Sequence, residues 1–357
     1  MEIDSILRES KVLICAGTGG VGKTTCAAAL ALRAGELGLK TLVLTVDPAK
    51  RLATSLGMDL SSDQEVLIPG CHHVWAAIID SEKTFHNFVK ESALSEESAE
   101  RLLRNPLYIQ LSTTLSGSQE FTALERVYNA CENNKFDLIV LDTPPSQHAL
   151  DFLTAPQKIR DLFQDSVTKW FGRANNLGAG RAAGWISRGT TRAFNILERL
   201  TGAYFIQDLK DFFTNIRAFQ KSLQDHSARV QQILHSSTTR FILVTSFDQS
   251  KLNEAQDFIS ELRDFGYHFA VIIINRAFPD WLDLSSSADA ARELTELSRS
   301  LAAYYEKLCE YFARKAKMYD NFLNALTPGM LMLKVPELSH DVTGLDDLTA
   351  VYRSMRK

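Results

Sequence analysis

A glycine-rich turn between an apolar run and an alanine-rich stretch constrains this chain more than any other feature. The run Val12–Cys15 predicts a buried strand, and Cys26–Leu37 predicts a helix. Between them the sequence fits the pattern G-x-x-x-x-G-K-[ST] at Gly17, Gly22, Lys23 and Thr24. This order lets backbone N–H groups surround phosphate oxygens, and the helix N-terminus adds partial positive charge. We expect a phosphate-binding loop; the alternative is a tight turn before an ordinary helix.

The residues of this loop are predicted to hold a nucleotide. Lys23 would reach the β- and γ-phosphates, which makes it a catalytic candidate, and the Thr24 hydroxyl would hold Mg²⁺. The whole loop supplies candidate ligands: Gly17, Thr18, Gly19, Gly20, Val21, Gly22, Lys23, Thr24 and Thr25.

Apolar runs alternate with helical patterns along most of the chain. The runs are Val12–Cys15, Thr41–Val46, Val74–Ile79, Leu138–Leu141, Phe241–Thr245, Val271–Ile274 and Met330–Val335. Because most are continuous rather than alternating, they are typical of strands buried on both faces of a parallel sheet. We therefore predict an α/β fold with a mostly parallel central sheet flanked by helices.

The segment from Leu150 to Ser236 interrupts this alternation. It has no convincing strand pattern, many aromatic residues and a glycine-, alanine- and arginine-rich middle at Gly172–Gly189. We predict an all-helical subdomain at 151–236, inserted between a first part of the nucleotide-binding core at 1–150 and a second part at 237–357. The aromatic residues either fill the core of this subdomain or line an apolar groove for a hydrophobic client.

Composition narrows the classes of partner. The formal net charge is −4 and the pI about 6.1, so no nucleic-acid partner is expected. No apolar run approaches the length of a membrane span. The five cysteines form no C-x-x-C pair, which argues against a disulfide framework or a thiolate metal site and favours a cytoplasmic protein.

Two aspartates follow apolar strands and complete the predicted site. Ligands of open α/β sheets bind at the carboxyl ends of the strands, where Asp47 and Asp142 both fall. Asp142 is positioned to bind Mg²⁺, through a water, and Asp47 to orient the attacking water. The alternative for Asp142 is an aspartate that terminates a strand in a turn.

These motifs resemble those of one family of nucleotide-dependent proteins. Asp47-Pro48-Ala49 resembles switch I, and Asp142-Thr143-Pro144-Pro145 with His148 resembles switch II, of the arsenite-pump ATPase and its relative, the Get-pathway ATPase that targets tail-anchored membrane proteins. Gly117–Glu120 is similar to the family's P-G-x-x-E segment. The resemblance implies a homodimer that binds and hydrolyses Mg-ATP.

The resemblance extends to the base of the nucleotide. Pro336 and Glu337, with Asp341–Leu345, resemble the adenine loop of that family. Asn275 falls where the family uses an asparagine amide for the adenine edge, since an amide both donates and accepts.

The sequence departs from the family pattern in several places. Thr18 stands where the family's extra lysine crosses to the partner's nucleotide, and switch II reads Pro-Pro-Ser-Gln from Pro144. The zinc-binding C-x-x-C of the Get-type dimer and the pump's fused second half are absent. Cys71, Cys131 and Cys309 are isolated in sequence and match no metalloid site.

The missing lysine leaves open which cation stabilises the developing charge at the β–γ bridge. We hypothesise that Arg51 or Lys50, and Arg51 in particular, reaches a phosphate in cis or across the dimer. The alternative is that both are solvated surface charges. For the whole chain we predict an ATPase whose helical surface opens and closes around a hydrophobic client segment or a membrane-protein partner. The alternatives are the energy subunit of an arsenite efflux pump, and an iron protein or a partition or cell-division ATPase of the same superfamily.

Overall fold

The computed structural model describes residues 3–46, 51–58, 64–92, 95–104, 119–143, 225–277, 299–325, 330–338 and 340–356. Several predicted features lie outside these ranges. They are the switch I residues Asp47, Pro48, Ala49 and Lys50, the switch II residues from Pro144 to His148, Gly117 and Ser118, and nearly all of the predicted insertion at 151–236.

Eight strands form one sheet in the described part of the chain. They are β1 (Val12–Ala16), β2 (Thr41–Thr45), β3 (Val66–Leu67), β4 (Val74–Ile78), β5 (Leu138–Asp142), β6 (Thr239–Ser246), β7 (Phe269–Ala277) and β8 (Leu331–Pro336). Their order is β3-β4-β2-β5-β1-β6-β7-β8, and every pairing is parallel except the antiparallel pair of β3 with β4.

The predicted fold class is confirmed. All seven predicted apolar runs form strands, and the residues of β1, β2 and β5 are buried throughout, as expected for a sheet covered on both faces. Strand β3 was not among the strands predicted from the sequence. This strand has only two residues, and both are exposed, so it carries no apolar pattern.

Helices accompany the strands. They are α1 (Ile3–Glu9), α2 (Lys23–Glu36), α3 (Arg51–Leu56), α4 (Ser81–Ser92), α5 (Glu96–Arg104), α6 (Gln119–Glu132), α7 (Gln249–Asp264), α8 (Arg299–Ala325) and α9 (Leu345–Ser354). Residues 225–235 are also helical.

The helix that follows the glycine loop lies in the main core. In α2 the run from Cys26 to Ala31 is buried and consists of small residues apart from Leu30, which allows close packing on the sheet. The C-terminal helix α9 packs against α2. Tyr352 of α9 donates a hydrogen bond to Glu36, and the guanidinium of Arg33 lies over the Tyr352 ring. The end of the described chain is therefore fixed to the helix that begins at the loop.

The chain divides into two compact units. The first contains residues 1–78, 129–150 and 234–357, including the whole sheet, and the second contains 79–128 and 151–233. The predicted boundaries at 150 and 236 stay a prediction; the second unit also takes in 79–128. Within that unit, the buried rings of Phe88 and Phe121 meet edge to face with centroids 5.4 Å apart.

No helix in the described ranges combines the length and apolar character needed to cross a membrane.

Candidate functional site

Three glycines of the loop have positive φ angles, a backbone conformation that other residues adopt only at a cost in free energy. Gly17, Gly20 and Gly22 have φ of 148°, 80° and 91°. A Cβ on Gly17 would lie 2.1 Å from the Val244 carbonyl oxygen, and one on Gly22 would lie 2.1 Å from Asn275 Nδ2. Gly22 also caps the N-terminus of α2. The first and last glycines of the motif are therefore needed for space as well as for backbone conformation.

The motif lysine is held inside the loop. Lys23 is buried, and its Nζ donates a hydrogen bond of 2.9 Å to the backbone oxygen of Thr18. Thr18, which stands at the position of the family's extra lysine, thus supports Lys23 through its main chain. The ammonium group lies within the curve of the loop, as a phosphate ligand requires.

The metal end of the site is built around one carboxylate. Asp142 Oδ2 accepts hydrogen bonds from Thr24 Oγ1 at 2.7 Å and from Thr45 Oγ1 at 2.9 Å, and Asp142 is 2% exposed. The sheet register explains this convergence, because Asp142 of β5 pairs with Thr45 on one side and with Cys15 on the other. A hydroxyl and a carboxylate side by side are the oxygen donors that Mg²⁺ prefers. Thr24 and Asp142 therefore fit the predicted metal site.

Sequence reasoning missed Thr45. The only sequence signal is a hydroxyl at the end of a strand, two residues before Asp47. A threonine there is equally well explained by strand propensity, so its bond to Asp142 emerges only from the pairing of β2 with β5.

The two cysteines beside the loop are packing residues. Cys15 and Cys26 are free and wholly buried. Burial, with the nearby Asp142 carboxylate, raises the pKa of Cys26 to about 12 and that of Cys15 well above its ordinary value. Both thiols stay protonated at neutral pH, whereas a thiol that binds a metal must be deprotonated.

Asn275 contacts the loop directly. Its Nδ2 donates a hydrogen bond of 2.9 Å to the backbone oxygen of Val21. The side-chain oxygen of Asn275 can still accept a hydrogen bond, as the predicted contact with the adenine edge requires. The contact with a base stays a prediction, while the bond to the loop is an observed feature that the sequence did not reveal.

The predicted adenine loop is ordered by its own hydrogen bonds. Asp347 Oδ2 accepts a bond of 2.8 Å from the Thr343 N–H, and Asp347 Oδ1 lies 3.1 Å from His340 Nε2. The Thr343 N–H, followed by His340, lowers the pKa of the Asp347 carboxyl. The Gly344 N–H donates a bond of 2.9 Å to the Ser55 carbonyl of α3. The loop is thereby joined to the helix that begins at Arg51.

One cavity of about 930 Å³ brings most of the predicted residues together. Those that line it are Gly20, Gly22, Lys23, Thr24, Thr25, Arg51, Asp142, Asn275, Pro336 and Glu337. Gly17, Thr18, Gly19 and Val21 belong to the loop but do not line the cavity. Arg276 and His340 also line it, and sequence reasoning had singled out neither.

The fold and the site define the class of protein. A parallel sheet, a glycine loop that opens a helix, a buried lysine and a threonine bonded to a strand-end aspartate together form a P-loop nucleotide-binding site. The sequence, in turn, matches the family described as anion-transporting ATPase over residues 10–357. The chain belongs to that family, and it is an ATPase.

Several curated proteins are similar over nearly the whole chain. "ATPase get3" of Schizosaccharomyces japonicus is 22% identical over 97% of this chain and 93% of its own length. "ATPase ASNA1 homolog 2" of Paramecium tetraurelia is 24% identical over 95% and 91%, respectively. "Putative arsenical pump-driving ATPase" of Prosthecochloris vibrioformis is 22% identical over 94% of this chain and 76% of its own length.

Proposed function

We propose that this chain is a cytoplasmic, Mg²⁺-dependent homodimeric ATPase that couples its nucleotide state to a helical surface for a hydrophobic client or a membrane-protein partner. The observation that carries the proposal is the shared carboxylate of Asp142. Its Oδ2 joins Thr24 of the glycine loop to Thr45, two residues before the predicted switch I aspartate. A movement of the Asp142 carboxylate would therefore act both on the phosphate loop and on the strand that leads to switch I.

The residues of the chain divide the chemistry between them. Thr24 and Asp142 would hold Mg²⁺, which neutralises charge on the β- and γ-phosphate oxygens. Lys23 stabilises the same charge from the loop. Asp47, which precedes α3 in sequence, would orient the attacking water.

Arg51 supports the idea that a cation replaces the family's extra lysine. It is the first residue of α3, is exposed and lines the cavity. We expect Arg51→Ala to reduce ATP turnover roughly a hundredfold, the usual effect of removing one charge-stabilising donor. Lys50→Ala, a change at the neighbouring position, serves as the comparison. Wild-type turnover in both variants would remove this part of the proposal.

Dimerisation and client binding need separate measurements. Both rest on the family resemblance, which the relatives named get3 and ASNA1 homolog extend over nearly the whole chain. Light scattering should show a dimer whose mass or compactness differs between ADP and a non-hydrolysable ATP analogue. A synthetic transmembrane peptide should then bind more tightly in the ATP-like state. A protein that stays monomeric in both nucleotide states would refute the proposed dimer. A peptide that binds in neither nucleotide state would refute the proposed client binding.

The energy subunit of an arsenite pump is the second candidate, because two relatives are named putative arsenical pump-driving ATPases. A soft oxyanion such as arsenite would need clustered thiolates. Burial raises the pKa of Cys131 to about 11, so this thiol, like Cys15 and Cys26, is protonated at neutral pH. Stimulation of ATP hydrolysis by arsenite or antimonite would favour this candidate over the first, and no stimulation would exclude it.

A further inference from the structure

Arg276 has a backbone conformation that is unusual for its residue type. It lies near the end of β7 with φ of 54°, in the left-handed region. The pairing of β7 with β8 shifts register between Ile274 and Ala277, so the residue occupies a bulge. Left-handed backbone costs a non-glycine residue free energy, and such strain concentrates at functional sites. The strain is a reason to ask what the side chain does.

The side chain of Arg276 belongs to the nucleotide cavity. The residue is exposed and lines the cavity next to Asn275. Within the described ranges, its guanidinium makes no hydrogen bond, ion pair or cation–π contact. Glu337 also lines the cavity, and its carboxylate forms no ion pair with Arg276. A guanidinium that no carboxylate holds is available to a ligand.

The sheet order decides which part of a nucleotide Arg276 can meet. Between Asp142 on β5 and Arg276 on β7 lie β1 and β6, so the two residues are three strand spacings apart. At about 4.8 Å for each spacing, this places Arg276 roughly 14 Å from the metal end.

The chain neighbours of Arg276 mark the same place. Asn275 binds the Val21 carbonyl of the phosphate loop, and Ala277 pairs with Pro336 at the start of the predicted adenine loop. Arg276 thus lies between these two loops, at the base end of the cavity.

We propose that Arg276 is a nucleotide-binding residue whose guanidinium stacks on the purine base. The proposal rests on nucleotide binding in this cavity. A planar guanidinium suits this contact, because it packs face to face with aromatic rings while its charge attracts their π-electrons. The left-handed backbone of the bulge is what turns the side chain out of the sheet and into the cavity. The competing explanation is that the bulge alone requires this backbone and that the side chain is solvated.

A glycine replacement separates the two explanations. Glycine adopts φ of 54° readily, so Arg276→Gly removes the side chain without straining the backbone, and the thermal midpoint without nucleotide should not fall. The Kd for Mg-ADP, measured by calorimetry, should rise about five- to thirtyfold, the range of a stacked cation. Arg276→Asn, which also tolerates left-handed backbone, should give the same loss. Arg276→Lys should recover part of the affinity, because it keeps the charge but not the planar group.

Inorganic tripolyphosphate tests the base assignment, because it carries the phosphates without a base. The Kd for tripolyphosphate should be unchanged in Arg276→Gly. A loss as large as that for Mg-ADP would overturn the proposal, since the guanidinium would then be a phosphate ligand.

The matched control is Asn134→Gly. Asn134 has φ of 46° and binds Lys11 Nζ through its side-chain oxygen at 3.1 Å, next to the amino end of β5 and away from the cavity. This change should leave the Kd for Mg-ADP unaltered.

Wild-type affinity in Arg276→Gly would overturn the role of Arg276 while leaving ATP binding intact. Lys23→Ala should abolish Mg-ADP binding; if it does not, the nucleotide site itself is wrong.

Discussion

Replacing Gly22 by alanine should destabilise the chain more than the same change at Gly20, although both glycines have similar left-handed backbone. Their φ angles are 91° and 80°. Each alanine therefore costs roughly 1–2 kcal/mol for its backbone alone. The surroundings differ: a Cβ on Gly20 has no atom within 4 Å, whereas a Cβ on Gly22 would lie 2.1 Å from Asn275 Nδ2.

The additional cost at Gly22 follows from that contact. Real Cβ atoms do not approach a neighbour closer than 3.0 Å, so the Asn275 amide must move away. Its hydrogen bond of 2.9 Å to the Val21 carbonyl then breaks, which costs about 0.5–1.5 kcal/mol, and somewhat more if the carbonyl stays buried without a donor. We expect a total of about 2–4 kcal/mol for Gly22→Ala, against about 1–2 kcal/mol for Gly20→Ala.

Thermal unfolding without nucleotide measures the difference, because 1 kcal/mol shifts the midpoint by about 2–4 °C in a unit of this size. The decisive comparison uses Asn275→Ala, which removes the atom that clashes. In that background the excess cost of Gly22→Ala over Gly20→Ala should disappear, which gives a coupling energy of about 1–2 kcal/mol. Equal losses at the two glycines, or an excess that survives Asn275→Ala, would refute the close packing of Asn275 on the loop.

Three further predictions concern the carboxylates of the site. Thr45→Val keeps the shape but removes a donor to Asp142, so the Mg²⁺ concentration for half-maximal ATP hydrolysis should rise several-fold, while Thr45→Ser should resemble wild type. Asp142→Asn removes the negative charge offered to the metal and should reduce turnover about a hundredfold or more, with metal-free ADP affinity nearly unchanged. The pKa of Asp347 is lowered from 3.8, so its bond to the Thr343 N–H should persist above that value and be lost as pH falls through the lowered pKa. At neutral pH, Asp347→Asn should therefore speed hydrogen exchange of the Thr343 amide, and an unchanged rate would contradict this.

The strands and the loop could be predicted because their sequence signals are local. A run such as Leu138–Leu141 must be buried on both faces, and Gly22-Lys23-Thr24 has few structural alternatives after a strand. The meeting of Thr24 with Asp142 also follows, since both belong at the carboxyl edge of a parallel sheet. These inferences need chain order and periodicity but no detailed packing.

The features that escaped prediction depend on contacts between distant residues. Thr45 is typical of any strand until the register places it beside Asp142. Arg276 has the sequence appearance of a solvated charge, and its left-handed backbone results from a register shift against β8. The exposed pair in β3 has too few residues for a pattern.

The contacts of the site suggest that its two ends act as one body. Asn275 bonds to Val21 and limits the space at Gly22, so β7 and the phosphate loop fix each other's position. The adenine loop is bonded through Gly344 to Ser55 of α3, the helix whose first residue is Arg51. A nucleotide that displaces the predicted adenine loop should therefore also displace α3 through this hydrogen bond. Helix α3 follows the predicted switch I segment directly in sequence. We therefore predict that the base acts on the switch through backbone hydrogen bonds, independently of the path through Asp142.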